Sequence, residues 1–182
     1  MISIVIEDQA VQSILNSLAR RMDDMTPVMR EIGEALVEGT KQRFDSASGW
    51  DGVSWASNSE VTILRYLGLT KGNYKKDGSI SKKGARAAAA KKPLTGETKS
   101  LRSTIAYQAS RTGVTIGSPM EYAATQQFGA IRGAFGRTRR NGPIPWGNIP
   151  PRPFLPMSSA GGMSTSAARL VLDIMSDYIA PK

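Results

Sequence analysis

Apolar and polar positions alternate at the start of the chain, and the period then lengthens. Ile2, Ile4 and Ile6 are interleaved with Ser3, Val5 and Glu7, a period of two that predicts a short edge strand with one buried face. After Asp8, a candidate N-cap, Val11, Ile14, Leu15, Leu18, Ala19 and Met22 fall on one stripe of a helix. Thr26 followed by Pro27 has the form of a cap and a first helical residue, so a second helix is expected there. Its inner side takes Val28, Met29, Ile32, Ala35, Leu36 and Phe44, while Glu34 and Glu38 against Lys41 and Arg43 make ordinary exposed ion pairs.

The pattern is then broken by residues 46–57, where glycine and serine surround Trp50 and Trp55. Two readings stand: an aromatic contact patch for a partner, or two rings that cover the core from a loop. A short helix is expected over 59–67, with Val61, Leu64, Leu67 and Leu69 inward. Residues 68–93 hold few large apolar side chains, and Ala87 to Ala90 is the one helical hint among them. Buried structure restarts at Leu101, Ile105 and Tyr107.

Residues 103–110 and 113–118, parted by Arg111 and Thr112, predict an antiparallel hairpin with a tight turn. Pro119 opens a short helix in which Tyr122, Ala123 and Phe128 share a face, and Gly129 ends it. After an irregular stretch to Pro150, residues 152–156 read as extended, because proline disfavours the helical region before it and removes a backbone donor. Such a segment fits a sheet edge or the surface of another chain. A last helix over 164–178 carries Ala167, Leu170, Val171, Ile174 and Met175 on one stripe. Helices at both ends flanking a small antiparallel sheet make an α+β arrangement, read as one domain over 1–182 with long basic loops at about 68–95 and 130–150.

Composition narrows the chemistry. The 182 residues include no cysteine and no histidine, which removes disulfides, thiolate metal sites and every Ser-His-Asp or Cys-His mechanism. Carboxylates sit mainly on polar helix faces, so no catalytic, cofactor or metal site is assigned. No apolar run approaches the roughly 20 residues that span a bilayer, and no membrane role is expected.

The net charge of +9 is concentrated in two segments. Residues 71–99 carry Lys71, Lys75, Lys76, Lys82, Lys83, Arg86, Lys91, Lys92 and Lys99 against only Asp77 and Glu97. Residues 130–152 carry Arg132, Arg137, Arg139, Arg140 and Arg152 with no acid at all. Either segment suits electrostatic contact with a DNA backbone or an acidic partner, and the first suits equally a solvated insertion. No helix-turn-helix, finger spacing or aromatic-basic strand motif accompanies the charge, so base reading is not expected.

Four short motifs occur in a telling order. Phe44 precedes Trp50 and Trp55; Leu94-Thr95-Gly96 precedes Leu101 and Ser103; Tyr122-Ala123 precedes Gln127-Phe128-Gly129; and Pro151-Arg152-Pro153-Phe154-Leu155 follows. This order resembles the virion morphogenesis family of tailed phages, the tail-completion proteins of P2-like and Mu-like phages, over about residues 28–178. Gln126 stands where family members often have histidine, and the basic insertion and Pro156 are less typical.

The resemblance implies a non-enzymatic structural protein of the head-tail junction, found in the virion and, during assembly, in the host cytoplasm. It implies a ring on the tail axis, expected to be a hexamer, with neck, connector or tail-tube proteins as neighbours and nonspecific contact with DNA in the channel. Gln127, Phe128, Gly129, Arg152, Pro153, Phe154 and Leu155 would meet a neighbouring subunit or the tail. The alternative for Phe128, Phe154 and Leu155 is a plain core role. A tail-tube terminator and a nonspecific nucleic-acid-binding protein are the other functions considered.

Overall fold

The computed structural model describes residues 9–96, 98–158 and 161–180; the strand expected at Ile2, Ile4 and Ile6 lies outside them. Among the described residues there are seven helices and one two-stranded antiparallel sheet, the expected α+β arrangement. The organising element is α2 (Thr26–Ser46), which buries Val28, Ile32, Gly33, Leu36, Thr40 and Phe44 along one side. It is packed by the hairpin of β1 (Ala106–Ala109) and β2 (Val114–Gly117) and by the C-terminal helix α7 (Thr165–Ile179).

Two glycines set how closely α2 is approached. An added Cβ at Gly33 would fall inside the Tyr107 ring, and one at Gly39 would fall inside the Trp50 ring. Both aromatics therefore lie on bare helix backbone. Arg43, expected to pair with a carboxylate, instead stands 5.6 Å over the Trp50 ring and donates to the Gly39 carbonyl. The start of α2 is also shifted by one place from the expected cap: Asp24 Oδ1 accepts from the Thr26 N–H at 3.0 Å, so Thr26 and Pro27 already lie inside the helix.

The hairpin pairs Ala106 with Gly117 and Ala109 with Val114, and the Ser110 N–H closes its tight turn on the Gly113 carbonyl at 2.8 Å. Val114 and Ile116 pack against a core of Val28, Ile32, Leu36, Trp50 and Ala167, which α7 completes with Leu170, Val171, Ile174 and Met175. Ser164 caps α7 by accepting from the Ala167 N–H. A second core, around Phe44, Trp55, Leu101, Ile105 and Phe154, is closed by the single turn α5 (Ser100–Ser103).

Two expected apolar stripes are not buried. In α1 (Gln9–Asp23), Ile14, Leu15 and Met22 are more than half exposed. The helix is tied down at its end, where Arg21 donates to the Tyr178 carbonyl and the Tyr178 hydroxyl donates to the Arg21 carbonyl. In α3 (Glu60–Gly68), only Leu67 is fully buried, and Val61, Leu64 and Leu69 face outward. Its neighbour α4 (Lys82–Ala90) offers mainly alanine, which is too short to cover them.

The segment expected as a loop between these helices is folded. Asn73 donates through Nδ2 to the Leu67 carbonyl, while its own carbonyl accepts from the Ser81 N–H, fastening the end of α3 to the start of α4. Gly84 is required beneath it, because a Cβ there would meet the Asn73 carbonyl.

Candidate interaction surface

Residues 152–156 neither lie at a sheet edge nor face solvent. A proline-containing segment lacks the donors that strand pairing needs, so when buried its remaining polar groups must be met by side chains. Three side chains from distant positions do this, and Arg152 of the segment itself anchors it outward. Gln127 Oε1 accepts from the N–H groups of Phe154 and Leu155 at 2.9 and 3.0 Å. Trp50 Nε1 donates to the Phe154 carbonyl at 3.1 Å, and Trp55 Nε1 donates to the Pro153 carbonyl at 2.9 Å. Arg152 forks onto the Ala56 and Ser57 carbonyls at 2.8 Å each, and its N–H donates to the Gln126 carbonyl at 2.8 Å.

This settles the choice for the two tryptophans: both are buried and clamp the core. Phe154, 1% exposed, sits 5.6 Å from the Phe44 ring, which is edge-on to Trp55 at 5.3 Å. The Arg152 guanidinium is buried among carbonyls, and that burial lowers its pKa; it is a structural fork and not part of an exposed basic cluster. Gln127, Arg152 and Phe154 thus find their partners inside the chain, Leu155 packs on the second core, and the Pro153 carbonyl is taken by Trp55. Phe128 alone of the group is strongly exposed, pointing away from the core that its neighbour Gln127 enters.

Phe128 closes α6 (Ala123–Phe128), and Gly129 turns the chain out of it at a φ of +76°. A Cβ on Gly129 would lie 2.7 Å from the Ile149 carbonyl, so glycine is what lets the two sides of the next segment meet. That segment, 130–149, is an arm with its own ladder. Ala130 and Ile149 exchange both backbone hydrogen bonds, Phe135 donates to Ile144 at 2.7 Å, and Thr138 donates to Gly142 at 2.8 Å. The arm exposes Ile131, Phe135 and Trp146, the last at 79%, together with Arg132, Arg137, Arg139 and Arg140.

The other basic segment divides in two. Lys71, Lys75, Lys76, Lys82, Lys83 and Arg86 face solvent on the folded unit of α3 and α4, where Lys83 also donates to the Lys71 carbonyl. Lys91 and Lys92 point back instead, one donating to the Thr95 carbonyl and standing 4.5 Å over the Tyr66 ring, the other donating to the Asp45 carbonyl. A groove of about 790 Å³ separates this unit from the base of the arm, lined by Tyr66, Leu69, Asn148 and Arg152 among others.

Trp50, Trp55, Gln127 and residues 152–155 therefore meet in one buried clamp, from which an arginine-rich arm projects. The model of the phage virion morphogenesis family matches residues 6–180. The chain belongs to that family. No curated protein and no solved structure shows a significant match. Family membership assigns this phage virion morphogenesis protein a structural or assembly role and associates it with the virion. Among the described residues, no helix is long and apolar enough to cross a membrane.

In this family member, sequence reasoning did not single out Ile131, Phe135 and Trp146 as surface residues. The available signal was three large apolar side chains scattered singly among arginines and glycines, with no period to bury them.

Proposed function

We propose that this protein completes the phage tail and joins it to the head, as a non-enzymatic subunit of a ring on the tail axis, with six copies the expected number. The observation that carries this reading is the family match over residues 6–180. It is supported by how the chain spends its polar side chains: Trp50, Trp55, Gln127 and Arg152 hold backbone rather than converging on a substrate-sized site. A rigid clamp carrying a projecting arm is suited to assembly, where geometry has to be repeated from copy to copy. Heterologous contacts that close on themselves produce such rings. Neighbouring neck, connector or tail-tube proteins would lie above and below. A phage lacking this gene is expected to accumulate separate heads and tails, seen by electron microscopy of lysates; normal joined particles would overturn the reading. A tail-tube terminator is the nearest variant, and full-length tails awaiting heads, as opposed to tails of irregular length, would argue against it.

A second reading has its own observation. Lys71, Lys75, Lys76, Lys82 and Arg86 lie exposed on one small folded unit, which suits nonspecific contact with DNA in the channel. Duplex retention that falls steeply with salt, and disappears when Lys75, Lys76, Lys82 and Lys83 are changed to Glu, is the expected result. Salt-insensitive or absent retention would remove this reading.

A further inference from the structure

We propose that the arm over 130–149 of one copy docks on the outer face of α2 in the next copy, its arginines against Glu31 and Glu38. The inference rests on the ring reading above and names the two surfaces that would build it.

The chain carries opposite charges that it leaves unmatched within itself. Arg132, Arg137, Arg139 and Arg140 project from the arm, and among the described residues none has a carboxylate partner; Arg137 reaches only Asn141, at 3.1 Å. On α2, Glu31, Glu34 and Glu38 are spaced by three and four residues, share one exposed face, and likewise have no cationic partner among the described residues. Glu34 accepts from the Tyr107 hydroxyl at 3.1 Å, and Glu38 from Gln42 at 3.4 Å. The ion pairs that do form, Arg102 with Asp45 and Arg111 with Asp23, use neither set.

An arm that is wholly basic and a helix face on which Glu31, Glu34 and Glu38 outnumber Arg30 and Lys41, on different elements of one chain, are complementary head to tail. That is the requirement for a heterologous contact. Arginine presents a planar fork that matches carboxylates in pairs, so an arginine arm against a glutamate row also fixes register.

The arm's apolar residues decide between a protein and a nucleic acid. Ile131, Phe135 and Trp146 of the arm, and Phe128 just before it, are each more than half exposed. Aromatic side chains mixed with arginine make up the energetic centre of protein interfaces, whereas contact with duplex phosphates gains nothing from them. The apolar counterpart is available on the same neighbour: α1, joined to α2 through Asp24 and Met25, leaves Ile14, Leu15 and Met22 uncovered.

The test uses the full chain and sedimentation or native mass spectrometry. One variant reverses the arm (Arg137→Glu, Arg139→Glu, Arg140→Glu); the other reverses the helix face (Glu31→Lys, Glu38→Lys) and spares Glu34 with its hydrogen bond to Tyr107. Each alone is expected to weaken self-association on the order of 100-fold or more. An equimolar mixture should restore it, because every contact in an alternating ring then pairs opposite charges. That rescue also requires both variants to be folded.

Wild-type chain that assembles while either variant assembles equally well overturns this interface and leaves the ring reading standing. Loss in each variant without rescue in the mixture overturns it too. Arm variants that assemble normally but lose retention of duplex DNA assign the arm to nucleic acid, which also overturns the proposal. Wild-type chain that stays monomeric at every concentration removes the ring reading and this interface together.

Discussion

Gln127 is the residue on which the clamp depends most directly. Its single oxygen satisfies two buried N–H groups, so Gln127→Leu leaves both donors without an acceptor at once. Each unsatisfied donor costs about 1–3 kcal/mol, and the substitution should destabilise the fold by about 3 kcal/mol in denaturant melts. Gln127→Glu keeps an acceptor oxygen and should lose clearly less; equal losses would mean that packing, not the hydrogen bonds, is what Gln127 provides. Gly33 and Gly39 give a prediction opposite to helix propensity. Alanine in a helix interior is ordinarily favoured over glycine by about 1 kcal/mol. Here Gly33→Ala drives a methyl into the Tyr107 ring and Gly39→Ala drives one into Trp50, so each should lower stability by about 2 kcal/mol in the same melts.

Among the elements, α2 was the most legible in the sequence and the clamp segment the least. Val28, Ile32, Leu36 and Phe44 repeat at helical spacing and are buried where that spacing places them. The hairpin was equally readable, since Arg111-Thr112 parts two short runs. Residues 152–156 announced an extended backbone, but which groups would satisfy it depended on Trp50, Trp55 and Gln127, brought together from 27 to 104 residues away. No local pattern encodes that. The exposed stripe of α1 shows the opposite limit: periodicity reports an apolar face, and says nothing of what covers it.

Helix α2 also carries a pH prediction. Hydrogen bonds from Thr26, first its hydroxyl and then its N–H, hold the Asp24 carboxyl below the usual carboxylate range. The stabilisation is fully present above that range and is lost as pH falls through the lowered value. Asp24→Asn, which keeps an oxygen to accept from Thr26 but carries no charge, should lose the charge-dependent part of this stabilisation at neutral pH and flatten the acid side of a stability-against-pH profile. An unaltered acid limb would show that the charge of Asp24 contributes nothing to it.

For the whole molecule, the partition of charge matters more than its total of +9. The basic unit of α3 and α4 and the arginine arm are built separately, the first nearly devoid of exposed aromatics, the second rich in them. Contact made by either should weaken with salt, but the arm's share should retain a salt-independent apolar part. Trp146→Ala should therefore weaken self-association while leaving its salt slope unchanged, measured by sedimentation over a range of ionic strength. A changed slope with unchanged affinity at high salt would contradict this division.

The same arrangement gives the protein an optical signature. Trp50 and Trp55 have their indole nitrogens bonded to interior carbonyls, and Trp146 stands in water. Of the three tryptophan emitters, two should report on the melting of the body and one on whatever touches the arm. The difference between the emission of the wild-type chain and that of Trp146→Phe, which leaves both clamp indoles in place, would lie at long wavelength when the chain is dispersed and shift to the blue as the arm is covered, so that assembly can be followed in real time without a label.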